Sequence, residues 1–129
     1  MELIRSRGMA DRVTFTAGSF FESIPAGFDL YMMSHVIHDW GEKECLTILE
    51  NCRRAMPKGS RLVLIEPVLP EGNAFHAGKM LDISIIVLTP GQERTEAEYR
   101  TLLGKAGFRL SRVIPTSAAV SVVECVAAE

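Results

Sequence analysis

Two apolar runs joined by an amphipathic helix, over residues 28–66, constrain the fold more than any other part of this chain. The first run, Phe28–Val36, lacks the strict alternation of a half-exposed strand, as expected for a strand that is buried on both faces. A helix is predicted from about Trp40 to Met56, and Asp39 with Glu42 has the form of a capping box at its start. The second run is Arg61–Glu66. Strand, helix and strand with short links form a βαβ unit, which implies a parallel sheet with a right-handed crossover.

The segments on either side of this unit predict further helices and strands, so the fold class is α/β. Residues 12–17 alternate and are rich in β-branched and aromatic side chains, which predicts a strand. Thr95 and Glu98 form a second capping box. The predicted elements outside the βαβ unit are the end of a helix over 2–10, a strand over 12–17, helices over 79–88 and 95–107, and antiparallel strands over 108–114 and 120–127.

The turn after the first apolar strand carries the side chains that are best suited to chemistry. It reads Ser34-His35-Val36-Ile37-His38-Asp39-Trp40, and the next strand ends on Glu66. Ligands of open α/β sheets bind at the carboxyl ends of the strands, so His38 and Glu66 should point into one crevice. A histidine beside a carboxylate can act as a general base. Position alone also allows a purely structural interpretation, in which His38 bonds to backbone and Glu66 is a solvated strand end.

Other kinds of site lack their sequence signatures. A metal site built on His35, His38 and Asp39 has too few ligands for structural zinc, and no further His or Cys pair completes it. The nucleophile elbow G-x-S-x-G is absent, and so are the glycine-rich loops that bind phosphate. We therefore expect a site without a metal.

Composition limits the partners and the compartment. The net charge of -2, with no cluster of Lys and Arg, gives no electrostatic footprint for nucleic acid or for an anionic membrane. The longest apolar run, Ile83–Leu88 with Ser84 inside it, is far too short to span a bilayer. An odd count of three cysteines fits reduced thiols better than a disulfide framework. The first residues lack a signal-peptide core, so we expect a cytoplasmic protein with no nucleic-acid or membrane partner.

Four segments occur in a fixed order along nearly the whole chain. They are G-S-F-F-E-S-I-P at 18–25, H-V-I-H-D-W at 35–40, E-P-V-L-P at 66–70, and G-Q-E-R-T at 91–95 followed by A-G-F at 106–108. Together they resemble the plant-type S-adenosylmethionine-dependent O-methyltransferases, a group that includes caffeate-type, acetylserotonin-type and bacterial antibiotic-tailoring enzymes. The H-D-W turn and the G-x-E-R-T loop are specific for this group among methyltransferases.

The resemblance implies catalytic roles for three residues. His38 matches the catalytic base of the family, and Glu66 and Glu93 match the two glutamates that flank and orient it. His35 matches a position that is often aromatic in relatives, which implies a place in the wall of the substrate pocket.

The resemblance also implies that the cofactor is S-adenosylmethionine and which residues contact it. Phe20 matches the residue that packs on the adenine ring, and Ser34 matches a residue that reaches the amino-acid end of the cofactor. Ser19 stands where relatives usually have an aspartate for the adenine amino group, and a serine supplies no carboxylate there.

The fold that the resemblance implies is a partial Rossmann-like methyltransferase fold. It comprises strands 3–7 of a sheet with the order 3-2-1-4-5-7-6, mostly parallel with an antiparallel last strand. Residues 1–129 would form a single, incomplete catalytic domain, without the N-terminal dimerisation domain and the Gly-rich cofactor loop of the family. The strand at 12–17 would then have no neighbour, because strands 2 and 1 stand between it and strand 4.

The expected function is transfer of a methyl group from S-adenosylmethionine to a hydroxyl of a small aromatic or polyketide-like molecule. Full-length members of such a family are expected to be homodimers. The alternative is a catalytically inactive, truncated remnant or an interaction module. Ser19 favours this alternative, whereas the joint presence of His38, Glu66 and Glu93 favours the enzyme.

Overall fold

The computed structural model describes residues 2–128 of the chain. The helices are α1 (Glu2–Ser6), α2 (Glu42–Ala55), α3 (Ala77–Leu88) and α4 (Glu96–Lys105), with short 3-10 turns at Ala10–Arg12 and Ile37–Asp39. The strands are β1 (Leu30–Ser34), β2 (Arg61–Glu66), β3 (Val68–Leu69), β4 (Arg94–Thr95), β5 (Phe108–Pro115) and β6 (Ser121–Ala127).

The main sheet has four strands in the order β1-β2-β6-β5. β1 and β2 pair in parallel, with Leu30 opposite Arg61 and Ser34 opposite Ile65. β6 runs antiparallel to both β2 and β5. This is the 4-5-7-6 part of the predicted order, so the mixed sheet with an antiparallel last strand and the βαβ unit are confirmed.

The hydrophobic core lies between this sheet and two helices, α2 and α4. The two helices also contact each other. β2 alternates along its length, so that Leu62, Leu64 and Glu66 are buried. Full burial of a leucine side chain contributes about 1.5–3 kcal/mol. The three cysteines are free and buried, as predicted. Burial raises the pKa of Cys52 and of Cys125 to about 12, which makes both thiols unreactive.

The strand predicted over residues 12–17 is not formed. Residues 13–19 have no regular secondary structure, and Phe15 is 75% exposed. β-branched and aromatic residues favour a strand only where a neighbour supplies backbone partners, and no other described segment pairs with this one. That part of the prediction is therefore wrong.

Helix α2 does not begin at the predicted cap. Its N-cap is Gly41, without a side-chain hydrogen bond, and Asp39 is instead the last residue of a 3-10 turn. Because Trp40 is extended, Asp39 lies too early in the chain to cap the helix. The second predicted capping box is confirmed: the hydroxyl of Thr95 accepts the N–H of Glu98, and the Glu98 side chain accepts the N–H of Thr95.

Helix α3 confirms the helix predicted over 79–88 and starts slightly earlier, at Ala77. The short strands β3 and β4, which pair in parallel, were not predicted. Two-residue strands are too short to show a periodic pattern. Within residues 2–128, the structure contains no helix with the length and apolar character needed to cross a membrane.

Candidate active site

The turn that carries His38 starts at the end of β1. His35 has a left-handed backbone (φ 52°), which is uncommon for a residue with a side chain. The N–H of His35 donates to the carbonyl of Ile65, so the turn is tied to β2. Ile37 and His38 are buried in the 3-10 turn that follows. A buried imidazole therefore lies at the carboxyl ends of the two parallel strands, where the sequence predicted it.

Glu66 holds the backbone of this turn from the end of β2. Its Oε1 accepts the N–H groups of Val36 and Ile37, both at 2.9 Å. Its Oε2 lies 3.8 Å from Nδ1 of His38 and places negative charge beside the imidazole without a direct hydrogen bond. Burial raises the pKa of the Glu66 carboxyl above 4.5, and the two N–H donors oppose this shift.

Glu93 reaches the imidazole from the loop before β4. Its Oε1 lies 2.8 Å from Nδ1 of His38, and its own N–H donates to Oδ1 of Asp82 on α3 at 2.7 Å. With Glu93 ionised, Nδ1–H of His38 donates to it, which leaves Nε2 as the basic nitrogen. Burial raises the pKa of the Glu93 carboxyl above 4.5, and the hydrogen bond and charge of His38 oppose this shift. Nε2 itself lies 3.5 Å from Oδ1 of Asp39, whose side chain is 44% exposed.

Arg94 and Gly91 hold this loop against the turn. Arg94 is buried and donates hydrogen bonds to the carbonyls of Ile37, at 3.2 Å, and Trp40, at 3.4 Å. Gly91 packs so closely against the carbonyl oxygen of His38 that a Cβ at this position would overlap it. The loop and the turn are therefore one packed unit.

Three buried or hydrogen-bonded residues received no functional role from the sequence: Asp82 on α3, Arg94 in β4 and Tyr99 on α4. A signal exists for Asp82, which is the only acidic residue between Glu71 and Glu93 and lies in an apolar helix. A signal also exists for Arg94, which follows the glutamate of the G-x-E-R-T loop. Tyr99 lies on the buried stripe of α4 and cannot be distinguished there from an ordinary core aromatic residue.

Two of the three predicted cofactor residues line one cavity. Ser19 and Phe20 border an open cavity of about 560 Å³ between residues 16–25 and β1. The side chain of Asn51 anchors this wall to α2, because it donates to the carbonyl of Phe20 at 2.8 Å. None of the described lining residues is charged. The lining therefore fits an aromatic or apolar group, and it has no counterion for an ammonium or a carboxylate.

The third predicted cofactor residue, Ser34, does not line this cavity. Its hydroxyl lies 3.0 Å from Nδ1 of His35. The ring of His35 is exposed and stands edge-to-face to the ring of His38, with centroids 5.3 Å apart. His35 thus lies beside the imidazole that the two carboxylates face.

The fold and the site define an α/β domain in which two buried carboxylates face Nδ1 of one histidine at the carboxyl ends of parallel strands. Residues 2–109 match the family model described as an O-methyltransferase domain. The chain belongs to this family of S-adenosylmethionine-dependent O-methyltransferases, which confirms the resemblance found in the sequence.

Similar proteins include enzymes of natural-product biosynthesis. Phenazine O-methyltransferase PhzM of Lysobacter antibioticus is 45% identical over 117 residues, which cover 91% of this chain and 34% of that protein. The crystal structure of LaPhzM matches with a TM-score of 0.92 and 42% identity, over 98% of this chain and 38% of that one. The structure of NcsB1 from neocarzinostatin biosynthesis, in complex with S-adenosylmethionine and 2-hydroxy-5-methyl naphthoic acid, matches with a TM-score of 0.87 and 32% identity, over 98% of this chain and 37% of that one. The chain thus spans about a third of the length of these relatives.

Proposed function

We propose that the protein carrying this chain transfers a methyl group from S-adenosylmethionine to a hydroxyl of a small aromatic or polyketide-like molecule, with His38 as the general base. The observation that carries this proposal is the buried contact of 2.8 Å between Nδ1 of His38 and Glu93. The names of the relatives support the substrate class, because they include a phenazine O-methyltransferase and an enzyme crystallised with a hydroxylated naphthoic acid.

Glu66 and Glu93 lower the free-energy cost of the proton transfer. An ordinary phenol and an ordinary imidazole differ by about 3.5 pKa units, so complete transfer in water costs about 4.8 kcal/mol. Glu93 accepts the Nδ1–H bond and Glu66 lies 3.8 Å from the same nitrogen, so both stabilise the imidazolium that forms. Nε2 of His38 takes the hydroxyl proton, the oxygen bonds to the methyl carbon, and the carbon–sulfur bond breaks to leave a thioether. The cofactor, when bound, supplies the electrophilic methyl group.

We assign Ser19 and Phe20 to the adenine side of the cofactor site and Ser34 to its amino-acid end. Phe20 offers an aromatic face at the wall of the cavity, and the hydroxyl of Ser19 is a small polar group beside it. Because the described lining has no charged residue, we expect these 129 residues by themselves to bind S-adenosylmethionine weakly. Calorimetry that finds micromolar affinity for the chain alone would contradict this expectation.

The catalytic role is tested by His38→Ala in the protein that carries this chain, with methyl transfer from labelled S-adenosylmethionine as the assay. Loss of a general base lowers kcat by about 10²- to 10⁴-fold. Cofactor affinity should stay nearly unchanged. His76→Asn is the matched control, because the His76 ring accepts the N–H of Gly78 at the start of α3 and asparagine retains a cap acceptor. Near wild-type turnover in His38→Ala would rule out the proposed base.

A non-enzymatic interaction module remains the second candidate, and the uncharged cavity lining with Ser19 favours it. In that case the protein would bind neither S-adenosylmethionine nor a hydroxylated aromatic molecule, and His38→Ala would change no measurable activity. Cofactor binding by the wild-type protein therefore separates the two candidates.

A further inference from the structure

We infer that Tyr99 is a positioning residue of the His38 site, and that its hydroxyl donates a hydrogen bond to the carboxylate pair formed by Glu66 and Glu93. The hydroxyl and the two carboxylates are not directly hydrogen-bonded in the structure, so the bond runs through one buried water or forms after a small movement of the side chain, with the tyrosine hydroxyl as the proton donor in both cases. The catalytic consequence of this inference rests on the proposed function, whereas its structural content does not.

The first observation is the burial of the Tyr99 side chain. Tyr99 lies on α4 and is 0% exposed, and its hydroxyl has no hydrogen-bond partner among residues 2–128. A hydroxyl that is removed from water without an acceptor is destabilising, and buried tyrosines usually place this group on a partner. The native arrangement should therefore give the Tyr99 hydroxyl an acceptor.

The second observation is that matching acceptors exist. Across the described residues, only three buried side-chain nitrogen or oxygen atoms lack a hydrogen-bond partner: Oε2 of Glu66, Oε2 of Glu93 and the hydroxyl oxygen of Tyr99. Two of these atoms are acceptors that need a donor, and the third is a donor that needs an acceptor. A bond between the hydroxyl and the carboxylate pair satisfies both needs.

The third observation is the position of Tyr99 in the chain. α4 begins directly after β4, which follows Glu93 in the sequence, and α4 and β4 are in contact. The pKa of Tyr99 agrees with a place near the pair: burial raises it most, the charges of Glu66 and Glu93 raise it further, and Arg94 lowers it. No other side-chain donor among the described residues bonds to the two free oxygens.

The bond would act on His38 through the carboxylates. Burial favours the protonated form of both glutamates, whereas a hydroxyl donor on their free oxygens favours the ionised form. A neutral carboxyl group can still accept Nδ1–H, but the negative charge of an ionised carboxylate stabilises the imidazolium much more strongly. Tyr99 thus maintains the charge state that the base requires, without touching the acceptor molecule or the cofactor.

The test is Tyr99→Phe, which removes the hydroxyl and keeps the ring in the core. The readout is the titration of the carboxyl carbons by ¹³C NMR on the chain labelled at glutamate, with signals assigned through Glu66→Gln and Glu93→Gln. We expect the midpoints of the pair to move to higher pH by about one unit. Because this measurement requires no methyl transfer, its failure is distinguishable from failure of the proposed function.

A second readout uses the activity of the protein that carries this chain. In Tyr99→Phe, the acidic limb of the kcat profile should move to higher pH by a similar amount, and the KM of both substrates should stay unchanged. Ser60→Ala is the control, because it also removes a buried hydroxyl. Ser60 directly precedes β2, whereas Glu66 is the last residue of that strand, so the two lie at opposite ends of β2. Unchanged carboxyl titration in a folded Tyr99→Phe would overturn the inference.

The wild-type chain provides a measurement that does not depend on the variant. If Tyr99→Phe fails to fold, the hydroxyl proton of Tyr99 decides the question in the wild type. A hydroxyl proton resonance whose chemical shift follows the titration of the two carboxyl groups supports the bond. Rapid exchange at every pH contradicts it.

Discussion

The carboxylate of Glu93 meets Nδ1 of His38 at 2.8 Å, although 55 positions separate the two residues in the sequence. The contact depends on parts of the chain that are far apart: the turn after β1, the loop before β4, and α3, where Asp82 accepts the N–H of Glu93. The orientation of the imidazole is therefore a property of how these segments pack. Substitutions that loosen the packing should impair the site even when they touch no ligand.

Replacing Glu93 by glutamine should stabilise the fold at neutral pH. The folded-state pKa of Glu93 is raised, so its contribution to stability is fully present below about pH 4.5 and is lost as the pH rises through the folded-state value. At neutral pH the buried carboxylate is therefore destabilising, and glutamine removes its charge while keeping an acceptor for Nδ1–H. We expect a gain of about 0.5–2 kcal/mol in the free energy of unfolding, the usual range for such changes.

Urea unfolding of Glu93→Gln and wild type at pH 7 and at pH 4 checks this expectation. The stabilisation should be present at pH 7 and largely absent at pH 4. Methyl transfer should fall, because glutamine stabilises an imidazolium less than a carboxylate does. A variant that is less stable than wild type at pH 7 would contradict the assignment of Glu93 as a buried charge.

Asp82 should affect turnover through the position of Glu93. In Asp82→Ala, the N–H of Glu93 loses its acceptor at 2.7 Å, and an unpaired polar group of this kind costs about 1–3 kcal/mol. If the loop moves to relieve this cost, kcat should fall about tenfold or more. Asp82→Asn keeps an acceptor oxygen and should retain most of the activity.

Ser84→Ala is the control on the same helix, because Ser84 is exposed and its hydroxyl donates to the carbonyl of Met80, one turn earlier in α3. Steady-state kinetics of the three variants decide the matter. Equal loss of activity in Asp82→Ala and Asp82→Asn would show that the charge of Asp82, and not its hydrogen bond, is what matters.

Much of the fold could be predicted from the sequence because its elements have strong local patterns. The βαβ unit over residues 28–66 is defined by two apolar runs and a periodic helix, and its strands place His38 and Glu66 together. The segment at 12–17 shows the limit of local pattern. Its residues have high strand propensity, but a strand forms only with a hydrogen-bonded neighbour, which no described segment provides.

The site could be predicted less completely than the fold. Position at a strand end indicated His38 and Glu66, whereas Glu93 lies in a loop without periodicity and was assigned only through the resemblance to the family. The predicted cap at Asp39 was wrong, because Asp39 ends a 3-10 turn and an extended Trp40 follows it before α2. A turn this short has no periodic pattern from which it could be predicted. The buried hydrogen bonds of Arg94 are tertiary contacts, which sequence spacing cannot show.

Arg94 should be the most stabilising arginine of the chain. In Arg94→Met, the carbonyls of Ile37 and Trp40 lose their donors inside the fold, and we expect a loss of about 2–4 kcal/mol in the free energy of unfolding. Arg100→Ala is the control on α4, because its ion pair with Glu96 is exposed and should be worth less than about 1 kcal/mol, and its other bond, to the carbonyl of Leu110, is long at 3.4 Å and only partly buried. Chemical denaturation of both variants gives the comparison. Similar losses for the two would mean that the buried bonds of Arg94 add little.

Two glycine-to-alanine substitutions should have opposite effects on stability, because one glycine is closely packed in the site and the other lies in a helix with free space around it. In Gly91→Ala, the new Cβ would overlap the carbonyl oxygen of His38 and lie 2.6 Å from the carbonyl carbon of Asp39. Both are backbone atoms of the buried turn, so the loop must move away and take Glu93 with it. We expect loss of methyl transfer and a lower unfolding midpoint.

Gly104→Ala should have the opposite effect on stability. Gly104 lies within α4, and a Cβ there meets no atom within 4 Å. Alanine should therefore stabilise the helix by about 0.5–1 kcal/mol, because glycine loses more backbone entropy on folding. Thermal unfolding of both variants, with methyl transfer measured in parallel, checks the pair. A Gly91→Ala variant with wild-type stability and turnover would show that the loop can shift without displacing Glu93 from His38, and the proposed dependence of the base on this packing would then be wrong.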